Sequence, residues 1–284
     1  MLDAKKTAVR AVSGAVYVII IVLACFWGDL GVTLLAGIFG ALGVSEFRKM
    51  RFPAYSNGGI GLYDVMGGLA LIFSPLPSAY APYPFFFLWI AWLIGRMILT
   101  IYSNHAHPEK EFAVDMGAQV YVAFPLALLV AAALCLQSRF DTCMPVLAVF
   151  IMIWMNDTGA FLFGSTFGKH RLFERVSPKK SWEGFWGGLF CTVATGAVIG
   201  LTGSPLAASG EGNPILFWTL AGVVVTLAAT FGDLFESVIK RNLNLKDSGN
   251  LIPGHGGILD RIDSLLMVIP AMILYFYLFS LFIR

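Results

Sequence analysis

The sequence predicts an all-α, polytopic integral membrane protein with about nine transmembrane helices and a cytoplasmic N-terminus. Of its 284 residues, 58% are hydrophobic and 13% are charged, whereas about 25% of the residues in an average soluble domain are charged. The mean hydropathy is +0.78, and the basic residues cluster in short segments between long apolar stretches. This pattern excludes a water-soluble globule, and it favours a lipid bilayer over nucleic acid as the partner.

Nine windows are apolar and long enough to cross a hydrocarbon core about 30 Å thick, which takes about 20 helical residues. They lie near 10–28, 30–47, 60–77, 83–102, 114–136, 144–164, 183–202, 215–241 and 263–283. Backbone polar groups in lipid must be satisfied within each segment, and the sequence shows no β-barrel alternation. We therefore interpret every window as a helix.

The basic residues predict the orientation of these helices, because Lys and Arg concentrate on the cytoplasmic side of a membrane. With the N-terminus inside, sixteen of the 19 Lys and Arg residues fall in cytoplasmic segments, and Arg139 and Arg284 lie outside. The remaining one, Arg96, lies in the inner half of the fourth window, from which we expect its side chain to snorkel to the cytoplasmic interface. We expect a bacterial plasma membrane, with the active site facing the cytoplasm.

The chain divides into an N-terminal region of about five spans, residues 1–140, and a C-terminal region, 141–284, in which we expect the chemistry. Two predicted cytoplasmic loops of the second region, 165–182 and 242–262, concentrate basic, acidic, Gly and Pro residues. No hydrophilic segment is long enough for a separate soluble domain. Any activity must therefore use the membrane helices and their loops.

A polar stripe runs along the end of the eighth window. The residues that share one helical face there are Asp233, Glu236 or Ser237, and Lys240. Ionisable groups within a membrane usually face a bundle interior or a wet cavity. Two interpretations of Asp233 stay open: a functional carboxylate, or an ion pair with Lys240 or another cation that holds helices together.

The loop after this stripe is rich in groups that suit an anion. Gly256 and Gly257 let backbone N–H groups approach a phosphate closely, while Lys246, His255 and Arg261 supply positive charge or hydrogen-bond donors. The loop therefore predicts a phosphate-rich ligand.

Two carboxylates, Asp260 and Asp263, follow on one side of the first turn of the ninth window. Helix capping would explain them without a metal. However, Asp233 and Asp260 end and begin two successive helices that return to the same membrane side, so we expect their carboxylates to converge. Two such oxygen ligands are the usual protein share of a Mg²⁺ site, which water and substrate phosphates complete.

The loop 165–182 resembles a phosphate-binding Walker A motif only superficially. Its glycines are one residue too close, and His170 follows Lys169 where Ser or Thr is required. Lys179 and Lys180 fit a phosphate site, but they equally fit the positive-inside rule or contact with anionic lipid.

Two local structures are also predicted in this loop. Ser177-Pro178 predicts a turn, and Ser181 to Glu183 predicts the start of a helix.

Together, these segments resemble the signature of phosphatidate cytidylyltransferases, also called CDP-diacylglycerol synthases. The matching signature positions are Ser237, Lys240-Arg241, Lys246-Asp247, Pro253, His255-Gly256-Gly257 and Asp260-Arg261-Ile262-Asp263. A second stretch of that family is similar to Asp157-Thr158-Gly159-Ala160, Gly168-Lys169 and Ser177-Pro178-Lys179-Lys180-Ser181-Trp182-Glu183-Gly184. The resemblance spans roughly residues 150–265.

The resemblance implies transfer of a cytidylyl group from CTP to phosphatidate, with Mg²⁺ as cofactor. It leaves open whether a second cation accompanies Mg²⁺. It implies that Asp233 and Asp260 bind the metal, and that Asp263, Lys240 and Arg261 join them in catalysis. The implied substrate-binding residues are Lys246, Asp247, His255, Gly256, Gly257, Arg241, Ser237, Asp157, Lys169, Ser177, Lys179, Lys180 and Ser181. A homodimer would fit the family.

The expected chemistry is in-line attack of a phosphatidate oxygen on the α-phosphorus of CTP. A phosphomonoester with a second pKa of about 6 is already largely dianionic at neutral pH, so no strong general base is needed. Two alternatives stay open. A related enzyme would act on another lipid phosphate, such as an ether-linked or isoprenoid one, and a transporter would use intramembrane carboxylates for ions.

Overall fold

The computed structural model describes residues 4–52, 59–77, 83–203, 212–251 and 256–283, with side chains from residue 11 to residue 282. Its helices are α1 (Ala4–Phe26), α2 (Asp29–Arg51), α3 (Gly59–Ile72), α4 (Pro84–Ile101), α5 (Pro108–Ala118), α6 (Phe124–Phe140), α7 (Met144–Phe167), α8 (Trp182–Thr202), α9 (Pro214–Asn242) and α10 (Leu259–Ile283). A π-helical turn, Gln119–Ala123, joins α5 to α6. The all-α prediction is confirmed.

Seven helical segments within these ranges are long and apolar enough to cross a membrane: α2, α4, the continuous stretch Pro108–Phe140, α7, α8, α9 and α10. Two shorter apolar helices, Ala11–Phe26 and Gly59–Ile72, occupy the first and third predicted windows. Every predicted window therefore coincides with a helix. The count of nine membrane spans stays a prediction.

Local capping explains where two of the helices begin. The Asn213 side chain accepts a hydrogen bond from the backbone N–H of Ile215 at 2.9 Å, at the start of α9. The Ser181 hydroxyl accepts one from the N–H of Gly184 at 3.2 Å, at the start of α8. Such bonds satisfy N–H groups that have no partner within the helix. The predicted helix start at Ser181 is confirmed.

A short antiparallel hairpin precedes α8. Its strands are β1 (Arg171–Phe173) and β2 (Ser177–Ser181), with Arg171 opposite Ser181 and Phe173 opposite Ser177. The prediction of a turn at Ser177-Pro178 is wrong, because both residues lie in β2 and the turn occupies 174–176. A proline is tolerated in this strand because a two-stranded hairpin leaves one edge of each strand without a ladder partner.

The helices form two compact units. Unit 1 comprises Met1–Ala24, Leu30–Leu134 and Leu245–Ile262, and unit 2 comprises Cys25–Asp29, Cys135–Asn244 and Asp263–Arg284. The loop that carries most of the predicted signature therefore packs with the N-terminal helices, in unit 1.

Unit 1 contains a buried ionic network that joins α2, α3, α4 and α5. The Nε atom of Arg48 lies 3.2 Å from Asp64 and 2.9 Å from Asp115, and the Nε atom of Arg96 lies 3.3 Å from Asp64 and 2.8 Å from Asp115. The prediction that Arg96 snorkels to the interface is wrong, since this residue is only 2% exposed. Two carboxylates within reach satisfy its charge inside the bundle, where an unpaired ion would be costly.

Unit 2 is built on close contacts between α7, α8 and α9, and between α9 and α10. A Cβ atom on Gly159 of α7 would lie 2.8 Å from the carbonyl oxygen of Gly187 on α8, so glycine is needed where these backbones meet. The Tyr275 hydroxyl donates to the carbonyl of Phe217 at 2.7 Å, which ties α10 to α9. These contacts hold the C-terminal halves of α7 and α9 and the N-terminal end of α8 around a cavity.

Candidate active site

A cavity of about 510 Å³ lies in unit 2 between α7, the hairpin, α8 and α9. Its charged lining residues are Asp157, Arg171, Lys179, Lys180 and Asp233. The volume is typical of a site for a small ligand. Four of these five residues were predicted as site residues, and the structure brings them together.

An ion pair between the hairpin and α9 crosses this cavity. The Nζ atom of Lys180 lies 2.6 Å from the Oδ2 atom of Asp233, and it also donates to the carbonyl of Thr230 at 3.4 Å. The two side chains are 25% and 39% exposed, so both remain accessible. Asp233 is therefore paired with a cation, as one interpretation of the sequence held, and it also lines a cavity, as the other requires.

The predicted polar stripe of α9 separates into two pairs. The Ser237 hydroxyl donates to Oδ1 of Asp233 at 3.3 Å. One turn further along, Lys240 donates to Oε2 of the buried Glu236 at 2.6 Å. Lys240 therefore contacts a carboxylate of its own helix, and the cation beside Asp233 comes from the hairpin.

A third carboxylate belongs to the surroundings of Asp233. Asp263 of α10 is half-buried and lies within electrostatic range of Asp233, Glu236 and Asp157. One of its oxygens accepts a hydrogen bond from the N–H of Ser264 at 2.6 Å. Unit 2 thus gathers acidic oxygens from three helices.

This acidic group fits Mg²⁺ by the chemistry of its donors. Mg²⁺ prefers hard oxygen ligands and usually takes one or two protein carboxylates, with water and phosphate oxygens completing its shell. Carboxylates held close together in a partly dehydrated site also repel each other unless a cation or a proton lies between them. Within the ranges that the structure describes, no group of three or more His, Cys, Asp or Glu side chains is positioned to hold a metal ion, and Mg²⁺ here stays a prediction.

Asp260 lies in the first turn of α10 and binds the preceding loop in unit 1. Its Oδ2 atom accepts hydrogen bonds from the N–H of Ser248 at 2.9 Å, the hydroxyl of Ser248 at 3.0 Å and the N–H of Gly257 at 2.8 Å. Gly256 has a φ of +81°, and a Cβ atom there would lie 2.5 Å from the same oxygen. Asp260 thus holds the loop that precedes α10, and its assignment as a metal ligand stays a prediction.

The other predicted residues of the family signature differ in their surroundings. Arg241, Lys246 and Asp247 are exposed. Arg261 is also exposed, and its backbone carbonyl accepts a hydrogen bond from the Tyr17 hydroxyl at 3.1 Å. His255, with Pro253, lies outside the described residues.

Glu183 of α8 binds the segment directly before the hairpin. Its carboxylate accepts from the N–H of Lys169 at 3.1 Å, and it contacts Nδ1 of His170 at 2.6 Å. The Lys169 side chain is exposed, and Ser177 is half-buried in β2. Neither side chain lines the cavity, whereas the buried Ser181 does.

Sequence reasoning missed Arg171 and the buried Asn156, which both line the cavity. Arg171 was counted only as one of the cytoplasmic cations. Recognition of the hairpin would have found it, because antiparallel pairing places Arg171 opposite Ser181.

Residues 8–279 match the sequence profile of the cytidylyltransferase family. The chain is 29% identical over 276 residues to the phosphatidate cytidylyltransferase of Staphylococcus aureus strain COL. The alignment covers 93% of this chain and 96% of that protein. It is 28% identical over 267 residues to the phosphatidate cytidylyltransferase of Staphylococcus haemolyticus, with the same coverage. The protein of that name from Staphylococcus epidermidis strain ATCC 12228 is 28% identical over 271 residues.

Proposed function

The chain belongs to the cytidylyltransferase family, and on that premise we propose that it transfers a cytidylyl group from CTP to phosphatidate, giving CDP-diacylglycerol and pyrophosphate. The observation that carries the proposal is the cavity of unit 2, in which a cationic wall faces acidic residues. A nucleoside triphosphate with its metal needs both cations and carboxylates, because the phosphates bind cations and the metal binds carboxylates.

The cationic wall consists of Arg171, Lys179 and Lys180. Two polyanions repel each other as they approach, so the main task of such a site is to neutralise them and to hold them in line. The guanidinium of Arg171 suits two oxygens of one phosphate at once, whereas each lysine acts as a movable point charge. We assign these residues to the phosphates of CTP and of the lipid.

The proposed step forms a bond between a phosphatidate oxygen and the α-phosphorus of CTP. The bond from that phosphorus to the oxygen bridging to the β-phosphate breaks, and pyrophosphate leaves. The lipid phosphate is already largely dianionic at neutral pH, so no side chain has to remove a proton. The work of the protein is positioning and charge neutralisation.

Mg²⁺ belongs to this proposal, with Asp233 and Asp260 as its predicted ligands and Asp263 as a further carboxylate. When bound, it would neutralise charge on the triphosphate and on the leaving pyrophosphate. Lys180 would then exchange its contact with Asp233 for one with a substrate phosphate.

The chain is an integral membrane protein, and this location suits a lipid substrate. The acyl chains of phosphatidate can stay in the bilayer while its phosphate enters a polar cavity. We further propose that the cavity opens to the cytoplasm, where CTP is found, and that the enzyme works as a homodimer.

The test is conversion of phosphatidate and labelled CTP by the purified protein in detergent, with Mg²⁺ or with a chelator. We expect labelled CDP-diacylglycerol with Mg²⁺ only, and its loss in Asp233→Asn. Glu109→Gln is the matched control, because this carboxyl is exposed at the start of α5. Product from an isoprenoid or ether-linked phosphate alone would indicate the related enzyme. Ion flux into sealed lipid vesicles that contain the protein, without any product, would indicate a transporter.

A further inference from the structure

Glu46 is a buried acidic residue near the end of α2, in unit 1. It is 8% exposed and lies two residues before Arg48 of the ionic network. A carboxylate removed from water needs hydrogen-bond donors or cations around it. Its partners therefore indicate what it does.

Its donors come from the signature loop, more than two hundred positions away. Oε1 of Glu46 accepts a hydrogen bond from the N–H of Ile258 at 3.0 Å, and Oε2 accepts one from the N–H of Leu259 at 3.0 Å. These N–H groups stand at the start of α10, where a helix leaves donors without internal partners and carries a partial positive charge. Glu46 thus caps α10 from a different helix.

The same carboxylate reaches Asp260 through one serine. The Ser248 hydroxyl lies 3.2 Å from Oε2 of Glu46 and 3.0 Å from Oδ2 of Asp260. Asp260 also accepts the backbone N–H of Ser248 at 2.9 Å. Glu46 therefore contacts both the backbone directly before Asp260 and the residue that holds the Asp260 side chain.

Two loop glycines leave the space that Glu46 occupies. A Cβ atom on Gly249 would lie 2.9 Å from Oε1 of Glu46, and one on Gly257 would collide with Oε2. The sequence suggested that glycines in this loop let a phosphate approach. At Gly257, the structure gives a second reason for glycine, which is the close approach of Glu46.

We infer that Glu46 is a positioning residue for the reaction: it fixes the start of α10 and the loop around Ser248, and so sets the place of Asp260. This inference rests on the proposed function for its effect on turnover. Its effect on the loop itself is independent of that function.

The experiment compares Glu46→Gln, Glu46→Ala and Ser248→Ala with the wild type, in full-length protein in detergent. An amide has a single acceptor oxygen, so Glu46→Gln turns an N–H group toward one of the backbone donors. We expect kcat about 10-fold lower in Glu46→Gln and Ser248→Ala, and about 100-fold lower in Glu46→Ala. Because a misplaced reacting group acts on the transition state, kcat/KM should fall by the same factor as kcat.

Hydrogen exchange at Ile258 and Leu259 gives the second readout. The amides of Ile258 and Leu259 should exchange faster in Glu46→Gln and Glu46→Ala than in the wild type, while the amides of α7 and α9 should exchange at the wild-type rate. Ser248→Ala keeps both hydrogen bonds from α10 to Glu46, so exchange at Ile258 and Leu259 should be nearly unchanged in this variant. Glu109→Gln should match the wild type in both measurements. If Glu46→Ala fails to fold, the two near-isosteric variants, Glu46→Gln and Ser248→Ala, decide.

Wild-type kcat in Glu46→Gln would overturn the inference, with or without faster exchange, because the contact would then be structural only. Slower turnover of Glu46→Gln with unchanged exchange at Ile258 and Leu259 would also overturn it, because the effect of Glu46 would then not pass through the start of α10. A wild-type protein that makes no CDP-diacylglycerol would instead overturn the proposed function. The exchange data would then decide whether Glu46 holds the loop.

Discussion

Lys180 and Asp233 form an ion pair of 2.6 Å that joins the hairpin to α9 within the cavity of unit 2. The pair is accessible on both sides, and each partner also suits a component of the proposed substrate complex. A lysine suits a phosphate, and a carboxylate suits the metal that accompanies it. In the proposed function, this contact compensates both charges until a substrate phosphate and the metal replace it.

Replacement of Lys180 by Met should lower kcat about 100-fold, as expected when one preorganised charge is removed from a phosphoryl-transfer site. Labelled CTP and phosphatidate provide the assay. Lys110→Met is the control, because Lys110 is an exposed cation in unit 1. Equal loss in both variants would show that overall charge, not this position, matters.

Arg171→Ala should raise the KM for CTP about 10-fold, because a charge-assisted hydrogen bond to a phosphate is lost. Arg175→Ala is a matched control on the same hairpin, in its exposed turn and outside the set of cavity-lining residues. Initial rates at varied CTP would measure the effect. A similar KM in the two variants would contradict a role for Arg171 in CTP binding.

Asp263→Asn should increase the Mg²⁺ concentration needed for half-maximal activity, while Asp263→Glu keeps a carboxylate and should be less affected. Asp233→Asn and Asp260→Asn should lower activity at saturating Mg²⁺ by on the order of 100-fold or more. Activity is measured as a function of free Mg²⁺. Unchanged Mg²⁺ dependence in all three Asn variants would contradict the metal proposal.

Arg96→Met should lower the free energy of unfolding by about 3 kcal/mol, because it leaves Asp64 and Asp115 sharing one buried arginine. The double variant Arg96→Met, Asp115→Leu restores the balance with Arg48 and should be less destabilised than the sum of the two single variants. Thermal unfolding in detergent would test this. Strict additivity would show that the network contributes no coupling.

The sequence predicted the helices well, because lipid requires long apolar segments and these leave a strong signal. It also identified Lys180 and Asp233 separately. It did not pair them, since spacing along one helix favoured Lys240 as the partner of Asp233, and the hairpin that supplies Lys180 was not recognised. For the same reason, Ser177-Pro178 was predicted to form a turn, although both residues lie in β2.

The ionic network of unit 1 escaped prediction for a different physical cause. Hydropathy and the positive-inside rule count charges along the chain, and they assign Arg48 and Arg96 to an interface without reference to partners. Asp64 and Asp115 lie 16 and 67 positions from Arg48. Only the folded bundle brings these groups together, and the same holds for Glu46 and its loop.

The π-helical turn between α5 and α6 ends at Ala123, two residues before Pro125. A proline has no N–H to bond to the carbonyl four residues earlier, and its ring collides with that carbonyl, so a wider turn relieves the clash. The extra residue in this turn rotates everything beyond it by roughly 100°, one residue's share of a helical turn of 3.6 residues. The two halves of this continuous helix therefore bury different faces. In α5, Asp115 contacts the two arginines, and in α6, Leu126 and Leu129 are buried in the apolar core.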